Sequence, residues 1–136
     1  MTKEKIIQTI GKRKKSVAKA LIKKGTGKVR VNKKPLETIK PEMIRLMIEE
    51  PLILSGNLSK EVNIDVTVSG GGVVSQAESI RQAIGRGLVK FGGKNIEKIM
   101  LEYDKSILVT DPRRTEPHKP SRSSAGPRRH KQRSKR

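Results

Sequence analysis

The sequence predicts an α+β fold, in which a four-stranded, mainly antiparallel sheet carries helices on one face and an extended basic tail follows. Three observations predict it: a strictly alternating strand, a long amphipathic helix that ends at paired glycines, and an uneven distribution of charge along the chain. The 136 residues suffice for one well-buried core but not for two. We therefore expect one globular domain over residues 1–111 and a tail over residues 112–136.

The most regular strand pattern covers residues 61–69. Apolar and polar side chains alternate there, so one face is expected to be buried and the other to face water. The buried face would carry Val62, Ile64, Val66 and Val68. Residues 15–24 and 28–32 are also predicted strands, and Gly25-Thr26-Gly27 between them predicts a hairpin. Residues 32–35 predict a further turn, and residues 106–110 a final strand.

Three segments have helical patterns. Pro41 suits the first residue of a short helix, whose apolar stripe must end before Pro51. Ser75 and Glu78 predict a capping box at the start of the second helix, which would end at residues 92–93. Residues 95–101 predict the third helix. The second helix is expected to bury Ala77, Ile80, Ile84, Leu88 and Phe91, and to place Gln76, Gln82, Arg86 and Lys90 on its other faces.

Basic residues are concentrated at the two ends of the chain. The formal charge is +19, with +12 over residues 1–40, −2 over residues 41–111 and +9 over residues 112–136. The last segment has one hydrophobic residue, Ala125, so burial cannot offset an ordering cost of roughly 1–2 kcal/mol per residue. We expect the tail to be disordered until a polyanion orders it.

Composition excludes several classes of protein. The chain has no cysteine, and therefore no disulfide, thiolate zinc site or catalytic thiol. Its start leads into no apolar run, and no run approaches the ~20 residues that span a bilayer. We expect a cytosolic protein with no cofactor and no membrane partner. The carboxylates, His118 and His130 form no recognisable catalytic or metal-binding set, so an enzyme is not expected.

The candidate nucleic-acid-binding residues form two basic clusters. They are Lys12, Arg13, Lys14 and Lys15 near the start, and Arg113, Arg114, Lys119, Arg122, Arg128, Arg129, Lys131 and Arg133 in the tail. Phe91 and Tyr103 are the only aromatic residues, and both have the spacing of helical core residues. Binding should therefore depend on phosphate contacts rather than on base stacking, and it should weaken steeply with salt.

The triple glycine at Gly70, Gly71 and Gly72 has two interpretations. It can be a tight turn in which glycine lets a helix and the sheet approach closely. It can also present backbone N–H groups to a phosphate at the start of the following helix. The sequence lacks both nucleotide-binding fingerprints, and we favour the tight turn.

Five motifs together resemble the universal family of small-subunit ribosomal proteins conventionally numbered nine. They are Gly11-Lys12-Arg13-Lys14 with Ala18 and Ala20; residues 25–32; Pro51-Leu52; Gly70-Gly71-Gly72 with Ser75-Gln76-Ala77, Ile80-Arg81 and Ala83-Ile84; and Thr110-Asp111-Pro112-Arg113 with the ending Ser134-Lys135-Arg136. The resemblance covers residues 6–136. Residues 113–120 are closer to the archaeal and eukaryotic branch, and residues 134–136 to the bacterial one, so the branch stays open.

The resemblance implies a fold like the second domain of the small-subunit ribosomal protein numbered five. It implies a structural constituent of the small subunit, with a body that docks on ribosomal RNA in the head beside neighbouring head proteins. The tip, Ser134, Lys135 and Arg136, would contact the anticodon stem-loop of the P-site tRNA. Two other classes stay open on the residues alone: a DNA-compacting architectural protein and a small phosphoryl-transfer enzyme that uses the triple glycine.

Overall fold

The computed structural model describes residues 6–39, 41–110 and 112–113. It confirms the α+β class, but the described residues form five strands rather than four. In chain order the elements are β1 (Ile6–Arg13), β2 (Ser16–Lys24), β3 (Val29–Val31), β4 (Lys34–Pro35), α1 (Glu42–Leu54), β5 (Val62–Ser69), α2 (Val73–Gly92) and α3 (Lys94–Tyr103). Short 3-10 turns cover Leu36–Thr38, Gly56–Lys60 and Lys105–Ile107. Apart from residues 112–113, the tail that is predicted to be disordered lies outside the described ranges.

The strand order in the sheet is β1-β2-β5-β3-β4. Every neighbouring pair is antiparallel except β3 and β5, which are parallel. The predicted hairpin of residues 15–24 with residues 28–32 is therefore wrong, because β5 lies between β2 and β3. The glycine-rich connection is instead fastened to the start of β5, where the Gly25 N–H donates to the Glu61 carbonyl. The first hairpin joins β1 to β2.

The core lies between the sheet and one layer of helices. The four predicted inward residues of β5 are buried, as are Ala77, Ile80, Ile84 and Leu88 of α2. Phe91 is half-buried against this core. Gln82 is buried as well, contrary to the expectation from the helical pattern. Tyr103 is 57% exposed, so its predicted place in the core is wrong.

Helix α2 approaches the edge strand β1 unusually closely. A side chain at Gly11 would collide with the Ser79 carbonyl oxygen, so only glycine fits there. The Gln82 side chain accepts from the Lys12 N–H at 2.8 Å, and Arg86 donates to the Ile10 carbonyl at 3.1 Å. The side chains of Gln82 and Arg86 thus occupy backbone groups that an edge strand would otherwise offer to another chain.

Both ends of α1 and the start of α2 differ from the prediction. Helix α1 begins after Pro41, which has an extended conformation, and it continues through Pro51 as far as Leu54. Helix α2 begins at Val73 and has no side-chain cap, so the predicted capping box does not form. Glu78, the second residue of the predicted capping box, forms an ion pair with Arg13 instead.

The predicted final strand at residues 106–110 is also wrong. The 3-10 turn Lys105–Ile107 stands there instead, and the Asp104 carboxylate accepts from the Ser106 N–H at its start. Ile107 is fully buried in the core beneath this turn. In the described residues, no helix has the length and apolar character needed to cross a membrane.

Candidate nucleic-acid interface

Three connections project from the same end of the sheet. Val17 at the start of β2 pairs with Ser69 at the end of β5. Val31 at the end of β3 pairs with Val66, and β3 is parallel to β5. The β1–β2 turn, the β3–β4 turn and the glycine loop therefore lie together, and we call residues 12–15, 33–34 and 70–72 the basic end.

The cations of the basic end are held outward by defined turns. Lys14 has a φ of 54°, which reverses the chain between β1 and β2, and both Lys14 and Lys15 are exposed. Asn32 and Lys33 also have positive φ values, as a tight two-residue hairpin turn requires. The Asn32 side chain accepts from the Val68 N–H at 3.0 Å, which fixes this turn to β5.

Lys33 and Lys34 are not among the candidate residues predicted from the sequence. Both are exposed, and the topology brings them to the same end of the sheet as residues 12–15. The predicted turn at residues 32–35 indicates that Lys33 and Lys34 are exposed. It does not indicate how close they lie to residues 12–15. That proximity depends on β5 lying between β2 and β3.

The glycine loop has the geometry of a tight turn. Gly70 and Gly71 have φ values of 81° and 66°, and the Ser16 hydroxyl donates to the Gly70 carbonyl at 2.7 Å. Gly72 forms the N-terminal boundary of α2 without a capping side chain, and the first turn of α2 holds no acidic residue. A phosphate contact at Gly70, Gly71 and Gly72 stays a prediction.

Arg13 has a structural contact as well as a place in the basic cluster. Its Nε donates to the Glu78 carboxylate at 2.7 Å, and its side chain is only 15% exposed. Arg13 therefore ties the end of β1 to α2. Arg113, at the start of the tail, lines the same cleft of about 140 Å³ as Lys12 and Arg13.

The structure thus brings together the first basic cluster, the glycine loop and Arg113. The other predicted tail residues lie outside the described ranges. They are Arg114, Lys119, Arg122, Arg128, Arg129, Lys131, Arg133, Ser134, Lys135 and Arg136.

The sheet face opposite the helices is a second basic surface. Strand alternation places exposed Lys12, Lys19, Lys23 and Arg30 on it, with exposed Ile10 and Leu21 between them. Asp65 is the one carboxylate that the described strands place on this face, and it accepts from the Arg30 Nε at 3.0 Å. Lys19, Lys23 and Arg30 are not among the candidate residues predicted from the sequence, although they lie in the predicted strands 15–24 and 28–32.

An arginine-centred ion cluster ties the segment after α3 to the other helices. Arg81 Nη2 donates to Glu50 Oε2 at 2.6 Å and to Asp104 Oδ2 at 2.8 Å, which joins α1, α2 and the segment after α3. Burial raises the pKa of Asp104, but hydrogen bonds from Arg81 and Ser106 outweigh it and leave that pKa below its ordinary value. Arg86 Nη2 donates to the Thr110 hydroxyl at 2.8 Å and holds the last residues of the body.

Nothing in this arrangement is suited to covalent chemistry. The described residues contain no group of three or more His, Cys, Asp or Glu side chains that could hold a metal ion. Glu78, Glu50, Asp65 and Asp104 are engaged in ion pairs. An α+β body with a basic end and an open basic sheet face defines the class of polyanion-binding proteins.

The chain belongs to the ribosomal protein S9/S16 family, whose pattern matches residues 11–136. It is 47% identical over 131 residues to the small ribosomal subunit protein uS9 of Methanococcus maripaludis strain C5, covering 96% of this chain and 98% of that protein. The uS9 protein of Methanococcus vannielii matches with the same identity and coverage. The chain is therefore a structural constituent of the small ribosomal subunit and not an enzyme.

Proposed function

We propose that the body docks on ribosomal RNA in the head of the small subunit through the basic end and the open sheet face. The observation that carries this proposal is the convergence of residues 12–15, residues 33–34 and Arg113 at one end of the sheet. These side chains present closely spaced cations to a surface that carries a dense row of phosphates.

The contacts on the open sheet face would be to the backbone and the sugars of RNA. Lys19, Lys23 and Arg30 can neutralise phosphates, while Ile10 and Leu21 offer an apolar surface between them. The sheet holds no aromatic platform on which bases could stack, since Phe91 and Tyr103 lie on helices. Recognition on this face would therefore depend on the shape and charge of the RNA rather than on base identity.

The division of the chain at residues 111 and 112 belongs to the same proposal. The body positions the protein, and the tail, with a net charge of +9, threads between RNA helices and neutralises phosphates that would otherwise repel one another. Its tip, Ser134, Lys135 and Arg136, would contact the anticodon stem-loop phosphates of the P-site tRNA. The proposal places the protein in cytoplasmic ribosomes, beside other proteins of the subunit head.

Sedimentation of the tagged full chain from cell lysate tests the RNA-docking proposal. Migration with small subunits at moderate and at high salt is expected, because an integrated component makes many contacts beyond simple charge neutralisation. Migration with bulk nucleic acid at low salt and as free protein at high salt would overturn the proposal. That result would favour a DNA-compacting architectural role.

Removal of the tip tests the tRNA contact separately. Deletion of Lys135 and Arg136 should weaken retention of P-site tRNA on purified small subunits and leave the protein bound to the subunit. A variant with Lys3 and Lys5 changed to alanine is the control, since it removes two charges from the opposite end of the chain. Loss of both tRNA and subunit binding, or of neither, would refute the assigned role of the tip.

A further inference from the structure

The helical side of the body carries an acidic segment, although the chain as a whole is strongly basic. Residues 36–58 contain four glutamates against Lys40 and Arg45, in a chain with a net charge of +19. This segment includes the 3-10 turn Leu36–Thr38, α1 and the start of the 3-10 turn Gly56–Lys60. A surface of this charge repels phosphates, so RNA is a poor occupant for it.

A groove lies along this acidic segment. It has a volume of about 450 Å³ and is formed by the C-terminal half of α1, the 3-10 turns and the start of β3. Val29, Leu52 and Ile53 give it an apolar lining. Its charged lining residues are Glu37, Glu49 and Lys60, which leaves a net negative charge, and Glu49 Oε1 also lies 3.8 Å from Arg45 Nε.

An exposed apolar stripe continues from the groove along α1. Met43, Leu46 and Ile53 are 73%, 48% and 70% exposed. Their spacing of three and seven residues places them on one side of the helix. Large apolar side chains gathered on one exposed helix face, and flanked by charges, are typical of a protein–protein contact.

We propose that this groove and stripe dock a basic segment of a neighbouring ribosomal protein. An apolar side chain of that segment would enter the groove, and its flanking Lys or Arg residues would meet Glu37 and Glu49. The net negative charge of the groove favours a cationic partner over RNA. The inference rests on the proposed function, because it takes the opposite sheet face to be occupied by RNA.

Site-specific photo-crosslinking in intact small subunits tests this inference. One full-length variant carries a photoreactive amino acid at Ile53, and a matched variant carries it at Leu21 on the open sheet face. Both positions are exposed, so neither change should prevent folding. The Ile53 probe should crosslink to a Lys- or Arg-rich segment of one ribosomal protein, and the Leu21 probe should crosslink to ribosomal RNA.

The two probes report separately on the two proposals. A crosslink from Ile53 to RNA, to a second copy of this chain or to an acidic protein would overturn the docking inference, and so would no crosslink at all. Failure of the Leu21 probe to reach RNA would instead contradict docking through the sheet face.

A charge reversal tests the electrostatic part of the inference. The double change Glu37→Lys and Glu49→Lys, made in the Ile53 probe variant, should lower the crosslink yield at least fivefold without releasing the protein from the subunit. The control is Glu97→Lys with Glu102→Lys on α3, where both glutamates are exposed and neither lines the groove. An unchanged yield in the Glu37 and Glu49 variant would overturn the inference.

Discussion

A Cβ atom built on Gly70 would lie 2.5 Å from the carbonyl oxygen of Lys15. The glycine loop and the basic β1–β2 turn are therefore in backbone contact, and the loop has no room for a side chain at this point. This contact explains why glycine is needed in the loop. Without side chains, the loop can connect the end of β5 to α2 directly beside the cations of the basic end.

The first prediction concerns this contact. Gly70→Ala should lower the free energy of unfolding by about 1–3 kcal/mol, because φ is +81° there and the new methyl group meets backbone. Gly72→Ala is the matched control, since nothing lies within 4 Å of its Cβ position. Urea unfolding of the full chain measures both. Equal destabilisation by the two changes would contradict the packing described here.

The second prediction concerns the ion cluster around Arg81. Arg81→Met should cost about 1–3 kcal/mol of stability, because the side chain is 11% exposed and its loss leaves two carboxylates without their partner. Arg45→Met should cost about 0.5–1 kcal/mol, because its contacts with Glu42 and Glu49 are neighbouring pairs on the surface of α1. Thermal and urea unfolding compare the two, and a larger loss for Arg45→Met would refute the role of Arg81.

The third prediction follows from the lowered pKa of Asp104. A carboxyl group with a lower pKa in the folded state stabilises the protein above its unfolded pKa of about 3.9, and this stabilisation is lost as the pH falls through the folded pKa. Asp104→Asn should therefore flatten the decline in stability between about pH 5 and pH 2. Ser106→Ala keeps the Arg81 contact and should flatten it less. An Asp104→Asn variant with the full acid-dependent decline would contradict the prediction.

Much of the fold was predictable because it depends on short-range patterns. The alternation of residues 62–68 and the apolar face of α2 are local consequences of burying one side of an element. Gly92 and Gly93 end α2, as their pairing predicts. The family resemblance also depends on such local motifs, and it was confirmed by the match over residues 11–136.

The incorrect structural predictions concern segments whose local structure depends on a distant part of the chain. Gly25-Thr26-Gly27 has the composition of a hairpin turn, but β5 inserts between the two strands and fastens this loop to its own start. The capping-box pattern at Ser75 was misleading because α2 already begins at Val73, and Glu78 accepts instead from Arg13, 65 residues away. Pro51 stays inside α1 because its ring is buried in the core.

The candidate site was predictable in its composition but not in its assembly. Residues 12–15 and Arg113 are evident from charge alone, whereas Lys33 and Lys34 join them only through the pairing of β3 with β5. Lys19, Lys23 and Arg30 belong to short strands whose exposed faces become continuous only in the assembled sheet.

The most direct test of RNA docking through the basic end is the salt dependence of binding to small-subunit ribosomal RNA. The full chain is compared with Lys14→Ala/Lys15→Ala/Lys33→Ala and with the control Lys94→Ala/Lys98→Ala/Lys105→Ala, which removes three exposed cations from α3 and the turn after it. The first variant should reduce the slope of log K against log salt by about 2–3, at roughly 0.7–0.9 per phosphate contact. The control should leave the slope unchanged. Equal reductions in both variants would show that binding depends on total charge and would contradict docking through the basic end.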